Sequence, residues 1–289
     1  MIYQYSNLAM SSFLLWLQNR VLTLGQAYYN VGTQLYPMTN QIFAGYSVYS
    51  CPFNQVVSDS SIPGAQLMTG LYLNNTFINI GQSGWVDFNF EKGEAYFSSP
   101  LPAGTIVSGN YAINEINIAM PSFPDIKLLF ESKYSLRNKQ PTVPTGLNYN
   151  IFTYPAVFVG DAGGSNSPFA MGGLDQTRTE VDAYIMCQSK FELDALNGIF
   201  KDSQYKWVPL IDINEMPFNN LGGYKSGNVY NYTNLVGNRV QRGSGILIEK
   251  VDIVDWTRKE GINRVLEGVT TDNFFSYATF TLWRDRVTN

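Results

Sequence analysis

Leu14, Leu17, Val21 and Leu24 recur at helical spacing within a segment from about Leu8 to Leu24, a pattern that lines one face of an α-helix. Ser11 or Ser12 can cap its start and Gly25 its end. Such an amphipathic helix either closes one end of a core or serves as an arm that packs on a neighbouring subunit.

From about Tyr46 to Ile118 the period changes from helical to alternating. Short runs at Gln66 to Leu73, Asn75 to Ile80, Gly84 to Phe90, Ala95 to Ser98 and Thr105 to Ile113 read as strands. Asn74-Asn75, Gly81-Gln82-Ser83-Gly84, Glu91-Lys92-Gly93 and Pro102-Ala103-Gly104 lie between them, where hairpins need residues that tolerate positive φ. The expectation is a compact β-sandwich-like domain or partly open barrel over residues 26–120, preceded by the helical segment 1–25.

Pro121, Pro124, Pro141, Pro144 and Pro155 then interrupt any long element, so residues 121–155 read as a junction with one or two short strands, including Ile126 to Phe130. Residues 156–289 read as α+β. Strand Ala156 to Val159 leads into a glycine-rich loop, Gly160 to Asn166, and Arg178 to Gln188 alternates as a strand. Ser189 caps a helix to about Lys201, because Phe191, Leu193, Leu196, Ile199 and Phe200 share a face and Glu192 stands three residues after the serine. Strand Trp207 to Ile213, a Gly/Asn-rich loop from about Asn219 to Asn238, and an antiparallel pair, Gly245 to Trp256 with Asn273 to Trp283, complete the chain. The fold class is mainly β with an α+β second half: an antiparallel sheet packed with one prominent helix.

The composition narrows the function. Hydrophobic residues make up 45% of the 289 and charged residues only 15%, which excludes a disordered chain and suits a surface spent largely on other protein. With a net charge of −4 and a pI near 4.9, a broad basic face for neutralising phosphates is not available, so sequence-specific DNA binding is not expected. The absence of histidine excludes histidine triads and HExxH zinc sites. Cys51 and Cys187 lack a CxxC partner; they admit one disulfide or two free, buried thiols, of which the second is expected. The run Phe13 to Leu17 is far short of the ~18 residues that span a bilayer, and no Lys or Arg precedes Ser12, so neither a membrane anchor nor a secretory leader is expected.

No other pattern makes a case for catalysis, metal or cofactor. The Gly160 to Asn166 loop, with Met171-Gly172-Gly173 behind it, lacks the GKS or GKT ending of a phosphate loop and reads as a flexible or interface loop. Asp212 with Glu215, Asp252 with Asp255, and Glu192 with Asp194 are carboxylate pairs in sequence, but acid–base work needs a pair across a cleft; solvated strand and turn positions are the expectation. Arg258, Lys259, Arg264, Arg284 and Arg286 alternate with Asp255, Glu260, Glu267, Asp272 and Asp285, as surface ion pairs or intersubunit contacts do. Asn74-Asn75-Thr76 and Asn231-Tyr232-Thr233 match the glycosylation sequon by chance in an Asn-rich chain.

Two stretches carry a family resemblance. Gly70-Leu71-Tyr72-Leu73-Asn74-Asn75-Thr76, running on to Val86-Asp87-Phe88-Asn89-Phe90-Glu91-Lys92-Gly93-Glu94-Ala95-Tyr96-Phe97-Ser98-Ser99-Pro100, resembles the DYxNGxVxFxSP hairpin pattern of structural proteins of tailed bacteriophages. It departs from that pattern by placing Glu91-Lys92 before Gly93. Tyr154 to Val159, Met171-Gly172-Gly173 and the strand–helix unit through Phe200 look like the β–α arrangement of neck and tail-terminator proteins. The resemblance implies a non-enzymatic virion protein, assembled in the host cytoplasm, of the neck (collar, gateway or head-to-tail connector). It implies a homo-oligomeric ring that meets portal or adaptor and tail proteins and passes DNA through its lumen without sequence-specific contact, with no catalytic, cofactor or metal residues. The loop after Val159 and that from Asn219 to Asn238 would contact neighbouring rings. Alternatives are a tail tube, baseplate or fibre-attachment protein; in another class, a soluble carbohydrate-binding β module suggested by the many Tyr and Trp and the Asn-rich loops; and a hydrolase using Asp212 and Glu215.

Overall fold

The computed structural model describes residues 5–43, 45–53, 55–120, 155–168, 175–212, 214–217, 229–237, 245–255 and 274–286. Two sheets dominate them. The first contains β1 (Tyr28–Phe43), β2 (Tyr46–Ser50), β3 (Leu71–Leu73), β4 (Thr76–Ile78), β5 (Trp85–Asn89), β6 (Glu94–Phe97) and β7 (Val107–Asn114), in the order β4-β3-β7-β1-β2-β6-β5. The second contains β8 (Asn117–Ala119), β9 (Ala156–Pro168), β10 (Asp175–Cys187), β11 (Trp207–Pro209), β12 (Gly245–Asp255) and β13 (Phe274–Arg286), in the order β11-β12-β13-β10-β9-β8. Helices α1 (Tyr5–Leu24), α2 (Lys190–Lys201) and α3 (Tyr232–Val236) accompany them.

The first sheet is curled, and chain length forces it. Its edge strands β4 and β5 are consecutive in sequence. Seven flat strands would hold those edges about 29 Å apart, whereas the seven steps from Ile78 to Trp85 reach at most about 25 Å fully extended. The connection is in fact a tight turn: Gly81 N donates to Trp85 O at 2.7 Å and Trp85 N to Gln82 O at 2.9 Å. The edges therefore approach one another in a partly open barrel, filled by Leu35, Leu71, Trp85, Phe88, Phe97, Val107 and Tyr111. Asn74 and Asn75 take φ of 47° and 68°, the hairpin geometry their side chains tolerate.

Strand β1 binds the barrel together. Tyr28 to Leu35 pair with β7, and Tyr36 to Phe43 pair with β2. The alternation pattern gave no sign of it, because Leu35 is the one buried position among residues 28–38. Strand β3 is shorter than the Gln66 to Leu73 expected, and Ile126 to Phe130 lies outside the described residues.

In the second sheet, Val181, Ala183, Ile185 and Cys187 of β10, Ala278, Phe280 and Leu282 of β13, and Ile246 and Ile248 of β12 all face one core. The antiparallel β12–β13 pair and the α2 boundaries follow the sequence reading. Ser189 caps α2, its hydroxyl accepting from Glu192 N while the Glu192 carboxylate accepts from Ser189 N, and Leu193, Leu196 and Phe200 are buried. Phe280 stands edge-on to Phe13 of α1 and Phe200 of α2, with ring centroids 5.0 and 5.4 Å away. Both helices thus cover the same sheet face.

Helix α1 differs from its sequence reading. It begins before Ser11 and Ser12, which lie inside it, and every residue from Ala9 to Gln18 is buried. Of the two roles its spacing allowed, it takes the first, closing the core rather than reaching out as an arm. Ser12 Oγ accepts from Ile211 N at 3.1 Å, so its hydroxyl pays the hydrogen-bonding cost of a loop entering the core. The left-handed residue after the helix is Gln26 (φ 47°), not Gly25.

Candidate interaction surface

The carboxylates singled out in the sequence stand in turns, ion pairs and a helix cap. Asp212 Oδ1 accepts from Asn214 N at 2.9 Å and Glu215 N donates to Asp212 O at 3.0 Å; the pair forms an exposed turn. Asp252 pairs with Lys250 at 2.6 Å on the solvent side of β12. Asp194 and Asp255 both bind Lys190, whose pKa is raised first by the Asp194 hydrogen bond and then by Asp255, while Glu192 serves the α2 cap. Among the described residues, no group of three or more His, Cys, Asp or Glu could hold a metal ion.

Cys51 and Cys187 are free and buried in separate cores. Burial pushes Cys51 up to about 11 and Cys187 up to about 12. Neither is a nucleophile at neutral pH. Arg284 lies on β13, and Arg286 and Asp285 pair with Asp175 and Gln176 of β10. Arg258, Lys259, Arg264, Glu260, Glu267, Asp272 and Met171-Gly172-Gly173 lie outside the described residues.

The glycine-rich segment Gly160 to Asn166 is not a loop. It continues β9 in register with β10 as far as Pro168. Register shifts at Glu180/Val181, leaving Ala162 as the extra residue of a bulge; Gly163 there has φ 107°, and its N–H donates to Asp161 Oδ1 at 2.8 Å. A Cβ on Gly164 would lie 2.3 Å from Arg178 O, so the close strand approach requires glycine. Similarly, the expected loop from Asn219 to Asn238 contains α3, capped by Asn231, whose side chain accepts from Asn234 N at 2.8 Å.

Sequence reasoning missed two features. The first is Asp59, which is buried and accepts hydrogen bonds from Ser61 N, Ser61 Oγ, Tyr232 N and Asn19 Nδ2 at 2.9, 2.8, 3.0 and 2.8 Å. It ties α1 and α3 to the segment that follows β2. The local pattern shows only the turn to Ser61; the donors that make Asp59 a tie, Asn19 and Tyr232, come from two distant stretches.

The second is the outer face of the second sheet, opposite α1 and α2. Direct pairing puts Trp207, Leu247, Trp283, Arg178 and Ser165 in one row across β11, β12, β13, β10 and β9. Directly opposed residues share a face, so this row spans about 19 Å of sheet. Trp207 is 46% exposed, and Arg178 pairs with Glu249 at 3.1 Å on the same surface. Further along lie Glu180, Asp182, Lys250 and Asp252, with Asp182 Oδ1 accepting from Thr279 Oγ1. The face carries both signs of charge along its middle, with Trp207, Leu247 and Trp283 at one end and the Tyr184–Tyr277 pair at the other. Alternation made Arg178 and Trp207 legible as strand residues, but only the register aligns them.

Among the described residues, no helix is long and apolar enough to cross a membrane. No protein-family model matches the sequence, and comparison with curated proteins returns no match.

Proposed function

We propose that this chain is a non-enzymatic structural protein of a tailed-phage particle, forming a homo-oligomeric ring in the neck that joins head to tail around the DNA channel. The observation that carries the proposal is where the resembling residues sit: 70–76 and 86–100 contribute β3–β4 and β5–β6, the hairpins at the two edges of one curled sheet. Edges are where a sheet meets other chains. Charge-poor composition supports a surface occupied by protein partners, portal or adaptor on one side and tail proteins on the other. The net charge of −4 supports a lumen that lets DNA pass, since retention of DNA depends on neutralising its phosphates. Such a ring closes by repeating one heterologous contact around an axis.

The test is copy number and shape. Quantitative mass spectrometry of the particle containing this chain should give a few copies, as for one ring, and negative-stain images of the purified chain should show closed rings. Many copies per particle would move it to the tail tube. A strictly monomeric chain present in no particle would reject the virion reading and favour a glycan-binding module.

A further inference from the structure

We propose that β11 and β9 are the two halves of the head-to-tail contact between copies of this chain, with the Trp207 indole of one subunit seated on the small-residue edge of the next. The proposal rests on the ring reading above and adds the surface that would close it.

A heterologous contact needs two different patches on opposite sides of a subunit. The second sheet has them. β11, β12, β13, β10 and β9 pair antiparallel in succession, so β11 and β9 run in the same direction near opposite margins. They also stand at the same level, since Trp207 and Ser165 end one cross-sheet row. Rotation about an axis along the strands therefore brings β11 of one copy alongside β9 of the next without a shift along the strands.

The two margins are complementary in shape and charge. At β11 stand Tyr205, 70% exposed, then Lys206 and the half-exposed Trp207. The indole lies low over its own sheet, because a Cβ on Gly245 would be 3.1 Å from the Trp207 ring. At β9 the outer-face residues are Gly160, Gly163, Ser165 and Ser167, beside Asp161. A Cβ on Gly160 or Gly163 would meet nothing within 4 Å, so this margin offers open space. β8 pairs only with Ala156 to Phe158, and among the described residues no strand pairs with the outer edge beyond them. An indole and a lysine on one margin thus face glycines, serines and an aspartate on the other. Pairing β9 with a second β9 would instead leave both tryptophans in water and bring the two Asp161 carboxylates to one interface. β11 is three residues long and Pro209 has no N–H, so Trp207 burial rather than a hydrogen-bonded ladder carries the contact.

The experiment uses the full chain with Trp207→Ala, which removes the indole, and Ser165→Arg, which fills the slot on the same outer-face row. Light scattering after size exclusion reads assembly, and far-UV circular dichroism checks that both variants fold. Wild type should form the ring. Each variant alone should associate roughly 30-fold more weakly, as for loss of a central interface aromatic. An equimolar mixture should give a 1:1 dimer and no ring, because each partner keeps one intact half. Phe191→Ala, 83% exposed on α2, should leave the ring unchanged. A wild-type ring that survives both substitutions, or folded variants that stay monomeric when mixed, would overturn this surface and leave the ring reading standing. A wild type that never assembles would remove both.

Discussion

Replacing Asp59 tests whether the two sheets depend on one buried carboxylate. The residue is 2% exposed, and its oxygens satisfy four donors from α1, the 59–61 turn and α3. In Asp59→Ala the Ser61 and Tyr232 backbone N–H groups lose their acceptor, and the Asn19 amide keeps only Ser61 Oγ at 3.2 Å. Leaving a buried donor without an acceptor costs about 1–3 kcal/mol, so the two stranded backbone groups together cost about 2–5 kcal/mol. Asp59→Asn keeps one acceptor oxygen for Ser61 and Tyr232 but turns an amide nitrogen toward Asn19, so its cost is that of one lost charge-assisted bond, about 1.5–3 kcal/mol. Urea unfolding followed by tryptophan fluorescence gives both values from the shift of the midpoint at constant slope. A loss below about 1 kcal/mol for the alanine variant would refute the reasoning, because an alternative acceptor would then be meeting those donors. Equal losses for both variants would show that the carboxylate charge, which both remove, matters at this site rather than side-chain volume, which Asn retains.

Three further perturbations follow from the geometry. Gly93 has φ 67°, and a Cβ there would lie 2.2 Å from Cys51 Sγ and 2.4 Å from Phe53 O; Gly93→Ala should destabilise the barrel by about 2–5 kcal/mol in the same assay. Phe280→Ala should cost about 3–5 kcal/mol, since the ring packs against both Phe13 and Phe200 and its removal leaves a cavity that two helices would have to close. The buried thiols titrate higher when folded than when unfolded, so the unfolded chain binds fewer protons between the two values. Stability should therefore hold below about pH 9 and decline as pH rises towards 11 and 12, more shallowly in Cys51→Ala. Native protein at pH 8 should not react with a thiol-specific reagent until it unfolds.

Local signals were legible in the sequence where local chemistry decides the structure. The Ser189–Glu192 capping box set the start of α2, and Asn74-Asn75 and Gly93 set hairpin turns, because in each case the residues that need satisfying lie within four positions. Positions decided by distant partners were not legible. Residues 28–38 of β1 have almost no buried face, and the strand exists because β7 and β2 supply its hydrogen bonds. Ser12 looked like a cap but is a buried acceptor for Ile211, some two hundred residues away. Gly160 to Asn166 looked like a loop because glycine, serine and asparagine disfavour strands, yet β10 pairs with them at an exposed margin where small side chains cost little. The row from Trp207 to Ser165 depends on the register of five strands, which no stretch of sequence encodes alone.

The central claim is the neck ring. A cryo-EM reconstruction of the particle that contains this chain, focused on the head–tail junction, tests it most directly. The account predicts a closed ring at the neck, traceable through large side chains such as Trp85, Trp207 and Trp283, with β9 of each subunit against β11 of the next. Density for this chain elsewhere in the particle, or none at the junction, would contradict it.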